Sequence, residues 1–525
     1  MLAACAASAL AFALYTRVVW PWVLLGWVGF APWFAVLGRA RSLPGALAIG
    51  WLFSVVYVLA VFSWFASGIA AYTGIPPPVA FGLLVLSAPL LQPQLVVFAG
   101  ARFLAARHGA RAAGLLAAAL LYVGAEWAWP KLLGDTIGHG LHASPRIRQA
   151  ADLAGAPGLS LALLLVNECV LAVAEALASR QGRLRARLAR ARAPAAIAGA
   201  ILLALTGYGA FRLARLERET AARPLLSAGI VQADISRYGE LARERGTYQA
   251  AREILDAHFE LSRQALSQTP IDLLVWPETV YPTTFGTPKT GAGAALDREI
   301  AGFVASSRVP LIFGAYDVDA EDEFNAAVFL EPGRDGRLEF ETYRKAWLFP
   351  LTERVPRLLD HERVRAWLPW LGTWKPGAGP QVTPLQLPDG RRLRVAPLIC
   401  YDAVVPELAI AAVREGAELI VTLSNDAWFA TGKGPRQHLV VSAFRSLETR
   451  RSQVRATNTG ISAIISPTGE LLAVAGVHER RAIVANLPAG PRSGTLMLAW
   501  GDWFGPVALA AGLVLLGSGW RTRTQ

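Results

Sequence analysis

Three residues of different chemistry each stand at the end of a predicted β-strand. They are the thiol of Cys400, the carboxylate of Glu278 and the ammonium of Lys345. A thiolate is a strong nucleophile, but it needs a base or a cation nearby to form, and a carboxylate and an ammonium supply these. Their combination predicts acyl-transfer chemistry on Cys400.

Cys400 is singled out by its place in the chain. The other two cysteines, Cys5 and Cys169, lie in apolar helical segments, where a small buried hydrophobe is expected. Three cysteines so far apart also indicate no disulfide framework and no metal site. A sharp strand exit at Tyr401-Asp402 would expose the sulfur and aim a backbone N–H at an oxyanion. A buried strand cysteine is the alternative.

Glu278 and Lys345 also have two interpretations each. Glu278 follows Trp276 and a proline that stops the strand, so its carboxylate could be desolvated and become a better proton acceptor. A surface turn residue is the alternative. The chain has 5 lysines against 46 arginines, so a lysine beside Arg344 indicates a compact ammonium that arginine cannot replace. A lysine without a special role is the alternative.

The region around these residues alternates short strands with helices, which predicts a layered α/β or α+β sandwich. The candidate helices are 239–267, 294–306, 403–415 and 435–450. The candidate strands are 225–233, 271–277, 310–316, 326–331, 337–345, 391–399, 417–424, 462–466 and 481–487.

Apolar segments bracket this region. The chain is 54% hydrophobic and only 17% charged, which is typical of a membrane protein with a soluble portion. Segments of about spanning length lie near 2–16, 18–38, 44–71, 77–101, 112–130, 157–179, 195–211 and 504–520. We therefore expect a membrane domain of seven helices over 1–211, a catalytic domain over 212–503, and a last transmembrane helix with a short tail over 504–525.

The net charge of +12 is a topology signal, because many arginines flank the apolar segments without acidic neighbours. Positive loops favour the cytoplasm, which predicts a cytoplasmic N-terminus, residues 212–503 on the outer side and no nucleic-acid partner. These arginines are Arg39, Arg41, Arg102, Arg107, Arg111, Arg180, Arg183, Arg185, Arg187, Arg190, Arg192, Arg521 and Arg523.

The motifs around the three residues resemble those of the carbon–nitrogen hydrolase (nitrilase) superfamily. Further stretches, 422–429, 437–438 and 455–462, together with the flanking helices, make the chain similar to the apolipoprotein N-acyltransferase family. The superfamily motifs are Trp276-Pro277-Glu278, Tyr343-Arg344-Lys345, Pro350-Leu351-Thr352-Glu353 and Ile399-Cys400-Tyr401-Asp402.

The resemblance implies an αββα sandwich with Glu278 as base, Lys345 as stabilising cation, Cys400 as nucleophile and Glu353 as a supporting carboxylate. Cys400 would take an acyl chain from a membrane phospholipid as a thioester and pass it to the N-terminal amine of a diacylglyceryl-cysteine in an apolipoprotein. The resemblance further implies a monomer in the bacterial inner membrane with a periplasmic catalytic domain, and neither a cofactor nor a metal.

Other residues are expected around the substrate. Trp347 begins a tryptophan-rich arm, 346–374, which could dip into the membrane interface or could instead be ordinary core. Ser424 and Asn425 are expected to brace the cysteine loop, and His438 is not expected to form a protease-type Cys–His pair. The full set of expected substrate-binding residues is Trp276, Tyr401, Asp402, Ser424, Asn425, Trp428 and Trp347.

Two other functions stay open at this point. A membrane-tethered amidase or nitrilase would share the triad but resolve the thioester with water. An inactive homologue would bind lipid or lipoprotein without turnover, an alternative kept open by two departures from the family pattern. Asp402 stands where the family has glutamate, and Thr352 stands where it has glycine.

Overall fold

The computed structural model describes residues 1–107, 111–129, 131–180, 183–221, 223–235, 244, 246–320, 322–332, 338–355, 360–368, 370–429, 432–489 and 493–521. The chain divides into two compact units. We call Met1–Arg215 with Trp500–Gln525 the membrane unit, and Leu216–Ala499 the sandwich unit.

The membrane unit is built from apolar helices. They are α1 (Leu2–Tyr15), α2 (Ala31–Leu37), α3 (Leu43–Thr73), α4 (Pro77–Leu91), α5 (Pro93–Ala105), α6 (Arg111–Ala128), α7 (Ala151–Ala178) and α8 (Leu184–Thr220). Within the described residues, α3, α7 and α8 are long and apolar enough to cross a membrane, and the α4–α5 pair makes a fourth candidate. Shorter apolar helices cover 2–15, 22–37, 112–128 and 504–518. The chain is therefore a multi-pass membrane protein.

Proline and glycine residues interrupt two of the apolar segments. The run 77–101 was expected to be one segment, but α4 and α5 are bent by 45°. Proline has no N–H and disfavours helical geometry in the residue before it. Gln92, which precedes Pro93, accordingly has φ −133° and ψ 55°. In α7, Gly155 at φ +61° interrupts the helix shortly before Pro157.

Two buried ion pairs join helices within the membrane unit. Arg102 of α5 donates from Nε and NH2 to the two carboxylate oxygens of Glu168 in α7, at 2.5 and 3.0 Å. Arg212 of α8 donates to Asp152 of α7 at 2.7 Å. Charged side chains inside a membrane region face the interior and pair with one another, as these do.

The sandwich unit consists of two six-stranded sheets and flanking helices. Its strands are β1 (Leu225–Gln232), β2 (Leu273–Val275), β3 (Leu311–Val318), β4 (Glu323–Pro332), β5 (Leu338–Arg344), β6 (Thr383–Gln386), β7 (Arg392–Ile399), β8 (Leu419–Ser424), β9 (Ser452–Thr457), β10 (Ser462–Ile465), β11 (Leu471–Ala475) and β12 (Arg481–Pro488). Its helices are α9 (Thr247–Gln268), α10 (Gly291–Ser307), α11 (Glu362–Trp367), α12 (Pro406–Arg414), α13 (Lys433–Thr449) and α14 (Leu496–Trp500), and α15 (Phe504–Arg521) follows.

The layers follow from where the apolar side chains lie. The first sheet has the order β12-β1-β2-β3-β4-β5, and the second has the order β11-β10-β9-β8-β7-β6. One core cluster lies between the sheets, with members such as Ile230, Val275, Val395 and Val421. A second cluster packs α9 and α10 against the first sheet, and a third packs α12 against the second. This arrangement confirms the predicted αββα sandwich.

Most predicted elements of the sandwich are present, but three strands were missed. β6 and β11 are short, and β9 reads Ser-Gln-Val-Arg-Ala-Thr, which lacks an apolar pattern although it is buried along its whole length. Its buried polar side chains have partners from other elements: Gln453 donates to Thr422 and Ser442, and the NH2 of Arg455 donates to Asp426. The first candidate helix, 239–267, begins partly outside the described residues, and α9 covers the rest.

Candidate active site

The ends of three strands bring the expected nucleophile, base and cation together. Glu278 comes shortly after β2, Lys345 directly after β5 and Cys400 directly after β7. The Lys345 Nζ lies 3.3 Å from Glu278 Oε1 and 2.7 Å from Glu353 Oε1. The charges of these three residues act on the Cys400 thiol, so all four form one electrostatic cluster.

Glu278 is held in a buried position with one neutral partner and one charged partner. Its Oε1 accepts hydrogen bonds from Asn325 Nδ2 at 2.7 Å and from Lys345. The turn that carries it packs directly on Gly314, where an added Cβ would lie 2.5 Å from the Glu278 Cα. Burial raises the pKa of Glu278, while the Lys345 ammonium opposes this. A carboxyl with a raised pKa can exchange a proton near neutral pH.

Lys345 is almost completely buried, with 1% of its surface exposed. Its backbone is held on both sides, because its N–H donates to the Asn325 carbonyl at 2.8 Å and its carbonyl accepts from Gly377 at 2.7 Å. Burial opposes the ammonium charge, but the carboxylates of Glu278 and Glu353 outweigh it and hold the pKa of Lys345 well above its usual range. Lys345 is therefore a permanent cation in this site.

Glu353 completes the cluster from the loop after Lys345. Its Oε1 accepts from the ammonium, and its Oε2 accepts from the Phe349 N–H at 2.7 Å. One carboxylate thus ties the loop that begins the tryptophan-rich arm to the lysine. In this position Glu353 supports the Lys345 ammonium.

Cys400 has a strained backbone at the strand exit. Its φ is +49°, a left-handed conformation that residues other than glycine adopt rarely and that clusters at functional sites. Burial and the Glu278 carboxylate raise the pKa of the Cys400 thiol, and the Lys345 ammonium opposes this. The thiol is therefore protonated at rest, and it needs a proton acceptor before it can attack.

Asp402 braces the strand exit. Its Oδ2 accepts from the Tyr343 hydroxyl and from the Ile399 N–H, both at 2.9 Å, and its Oδ1 accepts from the Trp347 N–H at 2.7 Å. Burial raises the pKa of Asp402 to about 6, against these hydrogen bonds. Asp402 thus joins the residues beside Lys345 to the cysteine loop.

The aromatic residues expected around the substrate lie in three different environments. Trp276 is fully buried, and its indole N–H donates to Ser262 Oγ at 2.9 Å, so it packs in the core beneath Glu278. Trp347 is 52% exposed. The Tyr401 and Trp428 rings both lie against Phe349, with centroid distances of 5.0 and 5.4 Å. Phe349, Tyr401 and Trp428 thus form one cluster of contacting rings, which we call the aromatic wall, and Tyr401 follows Cys400 in the chain.

Ser424 and Asn425 make local hydrogen bonds. Ser424 Oγ donates to Asp426 Oδ1 at 2.9 Å, and Asn425 Oδ1 accepts from the Ala427 N–H at 3.2 Å. Sequence reasoning missed Asp426, whose Oδ1 lies 2.9 Å from His438 Nδ1. The available signal was its place just after β8, the parallel neighbour of β7. Within the described residues, no group of three or more His, Cys, Asp or Glu side chains could hold a metal ion.

Together these contacts provide a nucleophile, a proton acceptor, a fixed cation and an apolar wall. A thiol beside a carboxylate of raised pKa can accept an acyl group as a thioester, while the ammonium stabilises the oxyanion that forms on the way. Acyl transfer is the chemistry that this arrangement supports.

Two family models match the chain. The model described as carbon-nitrogen hydrolase matches residues 227–491, and the one described as apolipoprotein N-acyltransferase N-terminal domain matches residues 4–169. An apolipoprotein N-acyltransferase of Bdellovibrio bacteriovorus is 28% identical, over 92% of this chain and 87% of its own. One of Gloeobacter violaceus is 30% identical, over 94% of this chain and 89% of its own.

Solved structures similar to the sandwich unit include an amidase from Nesterenkonia sp., with 19% identity, 50% of this chain and 90% of that chain covered, and a TM-score of 0.34. Another is Saccharomyces cerevisiae Nit3, of the nitrilase superfamily, with 19% identity, the same coverage and a TM-score of 0.36.

The sequence matches cover both the apolar helices and the sandwich. With 30% identity over nearly its whole length to a member, and family models on both of its parts, this chain belongs to the apolipoprotein N-acyltransferase family and is an acyltransferase of lipoprotein maturation.

Proposed function

We propose that Cys400 is the nucleophile of a two-step acyl transfer, with Glu278 as its base. In the first step, Glu278 accepts the thiol proton while the sulfur attacks the ester carbonyl of a membrane phospholipid. The Lys345 ammonium and the Tyr401 backbone N–H stabilise the tetrahedral oxyanion. Its collapse breaks the carbon–oxygen bond, and the departing glycerol oxygen takes the proton from Glu278. A thioester on Cys400 and a lysophospholipid result.

In the second step, the N-terminal amine of a diacylglyceryl-cysteine in an apolipoprotein attacks the thioester. Glu278 accepts a proton from the amine, the carbon–sulfur bond breaks, and the sulfur leaves as a thiolate that recovers this proton. The products are an amide and the free thiol. The same carboxylate therefore serves both steps, and the enzyme returns to its resting protonation state.

The observation that carries this proposal is the contact of one buried ammonium with two carboxylates beside a protonated thiol. The excess negative charge keeps Glu278 able to accept a proton, while Lys345 stays cationic through both steps. Glu353 supports Lys345, and the aromatic wall of Phe349, Tyr401 and Trp428 provides an apolar surface for an acyl chain.

The membrane arrangement is part of the same proposal. Arginine-rich stretches lie on the cytoplasmic side of the bacterial inner membrane, as does the N-terminus, which leaves the catalytic domain of 212–503 in the periplasm. There it meets lipoproteins after their export. The membrane domain covers 1–211, the last transmembrane helix lies in 504–525, and the enzyme acts as a monomer.

Mass spectrometry of the purified protein after incubation with phosphatidylethanolamine in detergent micelles tests the chemistry. We expect an acyl adduct on Cys400 that hydroxylamine removes, and that a diacylglyceryl-cysteine peptide discharges. Cys400→Ala removes the adduct, while the matched control Cys169→Ala keeps it. If no thioester forms and the protein instead hydrolyses small amides, the transfer mechanism on Cys400 is wrong.

Cysteine labelling in spheroplasts tests the topology separately. Lys289→Cys in the sandwich unit and Arg190→Cys in α8 are compared, each in a chain whose native cysteines are alanine. Both positions are exposed. A membrane-impermeant maleimide should label position 289 in intact spheroplasts and position 190 only after lysis. The reverse pattern would invert the topology.

A further inference from the structure

The structure places a histidine against the backbone of the nucleophile. His438 lies near the start of α13, with 9% of its side chain exposed. Its Nδ1 is 2.9 Å from Asp426 Oδ1, and its Nε2 is 3.3 Å from the carbonyl oxygen of Cys400. The ring thus bridges a buried carboxylate and the peptide that follows the reactive sulfur.

Both partners of this ring can only accept hydrogen bonds. A neutral imidazole carries a single N–H, so it can donate to one of them and faces the other with a lone pair. Only a ring protonated on both nitrogens donates to the Asp426 carboxylate and to the Cys400 carbonyl at once. The hydrogen bond to the Cys400 carbonyl therefore requires a proton on Nε2.

The Asp426 carboxylate is itself held firmly in place. It is 1% exposed, and its Oδ2 accepts from the fully buried Arg455 at 3.1 Å, while Ser424 donates to its Oδ1. Burial opposes its ionisation, but Arg455 and His438 outweigh it and lower the pKa of Asp426 below its usual range. Gly460 packs so closely that an added Cβ would lie 2.2 Å from Oδ2. The carboxylate has little room to move.

The other end of the bridge bears on catalytic geometry. The Cys400 carbonyl and the Tyr401 N–H belong to one planar peptide unit and point in opposite directions. Holding the carbonyl toward His438 therefore directs the Tyr401 N–H away from it. The same contact restrains a residue whose φ of +49° would otherwise tend to relax toward an ordinary conformation.

We propose that His438 is a positioning residue, which clamps the Cys400 carbonyl from Asp426 and so orients both the sulfur and the Tyr401 N–H. The inference rests on the proposed role of Cys400. It differs from a protease-type pair, because the ring nitrogen faces the backbone oxygen and not the sulfur. His438 accepts no proton in the reaction, and Glu278 remains the base.

Two substitutions separate the two ends of the bridge. His438→Asn places an amide nitrogen near the position of Nδ1, where it reaches Asp426 but not the Cys400 carbonyl. His438→Gln places one near the position of Nε2, where it reaches the carbonyl. His478, 65% exposed and 3.1 Å from Asp234, is a matched histidine–carboxylate pair. His478→Asn and His478→Gln serve as controls.

The measurement is the rate of acyl-adduct formation on Cys400 from phosphatidylethanolamine in micelles, as a function of lipid concentration. Misplacement of a reacting group by about 1 Å can slow a reaction about 100-fold, so we expect His438→Asn to lower kcat by about 10- to 100-fold. The KM for lipid should stay within about 2-fold, since no residue of the proposed acyl-chain wall is substituted. His438→Gln should recover most of the lost rate, and both His478 variants should equal the wild type.

Equal rates for His438→Asn and the wild type, or equal losses in His438→Asn and His438→Gln, would overturn the proposal. Rates are normalised to the folded fraction measured by size-exclusion chromatography. If His438→Asn does not fold, Asp426→Asn replaces it, and an unchanged kcat in that variant has the same meaning. Absence of an adduct on Cys400 in the wild type would refute the proposed function itself, so the two failures are distinguishable.

Discussion

Buried charges serve different purposes in the two units of the molecule. In the membrane unit, Arg102 and Glu168 meet through two parallel hydrogen bonds, with side chains only 6% and 8% exposed. In the sandwich unit, the Lys345 ammonium contacts two carboxylates, those of Glu278 and Glu353. One site is a matched pair, and the other is a cation shared between two anions.

The difference teaches what makes a buried charge reactive. The planar guanidinium of arginine fits one carboxylate with two hydrogen bonds and never loses its proton. The ammonium of lysine is a point charge that can serve two partners, and burial then raises the pKa of Glu278. Paired charge joins helices, whereas shared charge leaves a carboxylate that can exchange a proton with Cys400.

The largest effect is expected from neutralising one carboxylate in each site. Glu278→Gln removes the proton acceptor and should slow acyl-adduct formation by about 100- to 10,000-fold. Its melting temperature should not fall, because burial already disfavours the charge that is removed. Glu168→Gln should show the opposite pattern: it leaves Arg102 unpaired and should cost about 3–5 kcal/mol of stability.

These two variants are compared by thermal unfolding in detergent and by the acylation rate of the folded protein. The distinction between a stabilising pair and a catalytic cluster would be wrong if Glu278→Gln acylated Cys400 at the normal rate. It would also be wrong if Glu168→Gln kept normal stability but lost catalysis.

The next largest effect is expected from replacing the cation of each site by the other basic residue, lysine by arginine and arginine by lysine. Lys345→Arg keeps a charge but brings a planar fork into a space shaped for an ammonium, and loss of a well-placed oxyanion donor slows catalysis by about 100- to 1,000-fold. Arg102→Lys loses the second hydrogen bond to Glu168 and should cost about 1.5–3 kcal/mol of stability. Its acylation rate per folded molecule should match the wild type. Full activity in Lys345→Arg would show that only the charge matters.

The pH dependence of acylation should follow from the shared charge. Glu278 must be ionised to accept a proton, and its pKa is raised, so the rate should fall as the pH drops through a value above the usual glutamate pKa of about 4.3. Lys345 has a pKa well above its usual value and should not cause a fall on the alkaline side below about pH 10. The acylation rate in single-turnover experiments across the pH range measures this dependence. A fall of the rate as the pH rises through about 8 would contradict the prediction.

The candidate catalytic residues could be singled out from the sequence because each stands at the end of a predicted strand. Glu278, Lys345 and Cys400 needed no knowledge of the fold to be singled out, and the structure brings them into one cluster. The pairing of His438 with Asp426 could not be predicted. One residue lies on α13 and the other after β8, and only the packing of that helix on the sheet brings them together.

Aromatic residues show a second limit of sequence reasoning. Trp276 and Trp347 look alike in the sequence, yet one is fully buried and the other is 52% exposed. Composition cannot distinguish a core tryptophan from one at a surface, because both stand just after a strand. The strand β9 was missed for the converse reason: its polar side chains are buried, and their hydrogen-bond partners come from other elements.

The smallest effect is expected at Asp402, where the family has glutamate. Its two oxygens already accept three hydrogen bonds between 2.7 and 2.9 Å from Tyr343, Trp347 and Ile399. An added methylene in Asp402→Glu gains no new partner in this buried space and should change kcat by less than about 5-fold, as for other small packing changes.

Asp402→Asn keeps the volume but places an amide among three donors, so one hydrogen bond is lost and the loop that links Lys345 to Cys400 is loosened. Its kcat should fall about 10-fold, the equivalent of one lost hydrogen bond. Steady-state kinetics of both variants measure the two kcat values. A greater loss of kcat in Asp402→Glu than in Asp402→Asn would mean that side-chain size, and not hydrogen bonding, determines how Asp402 holds the loop.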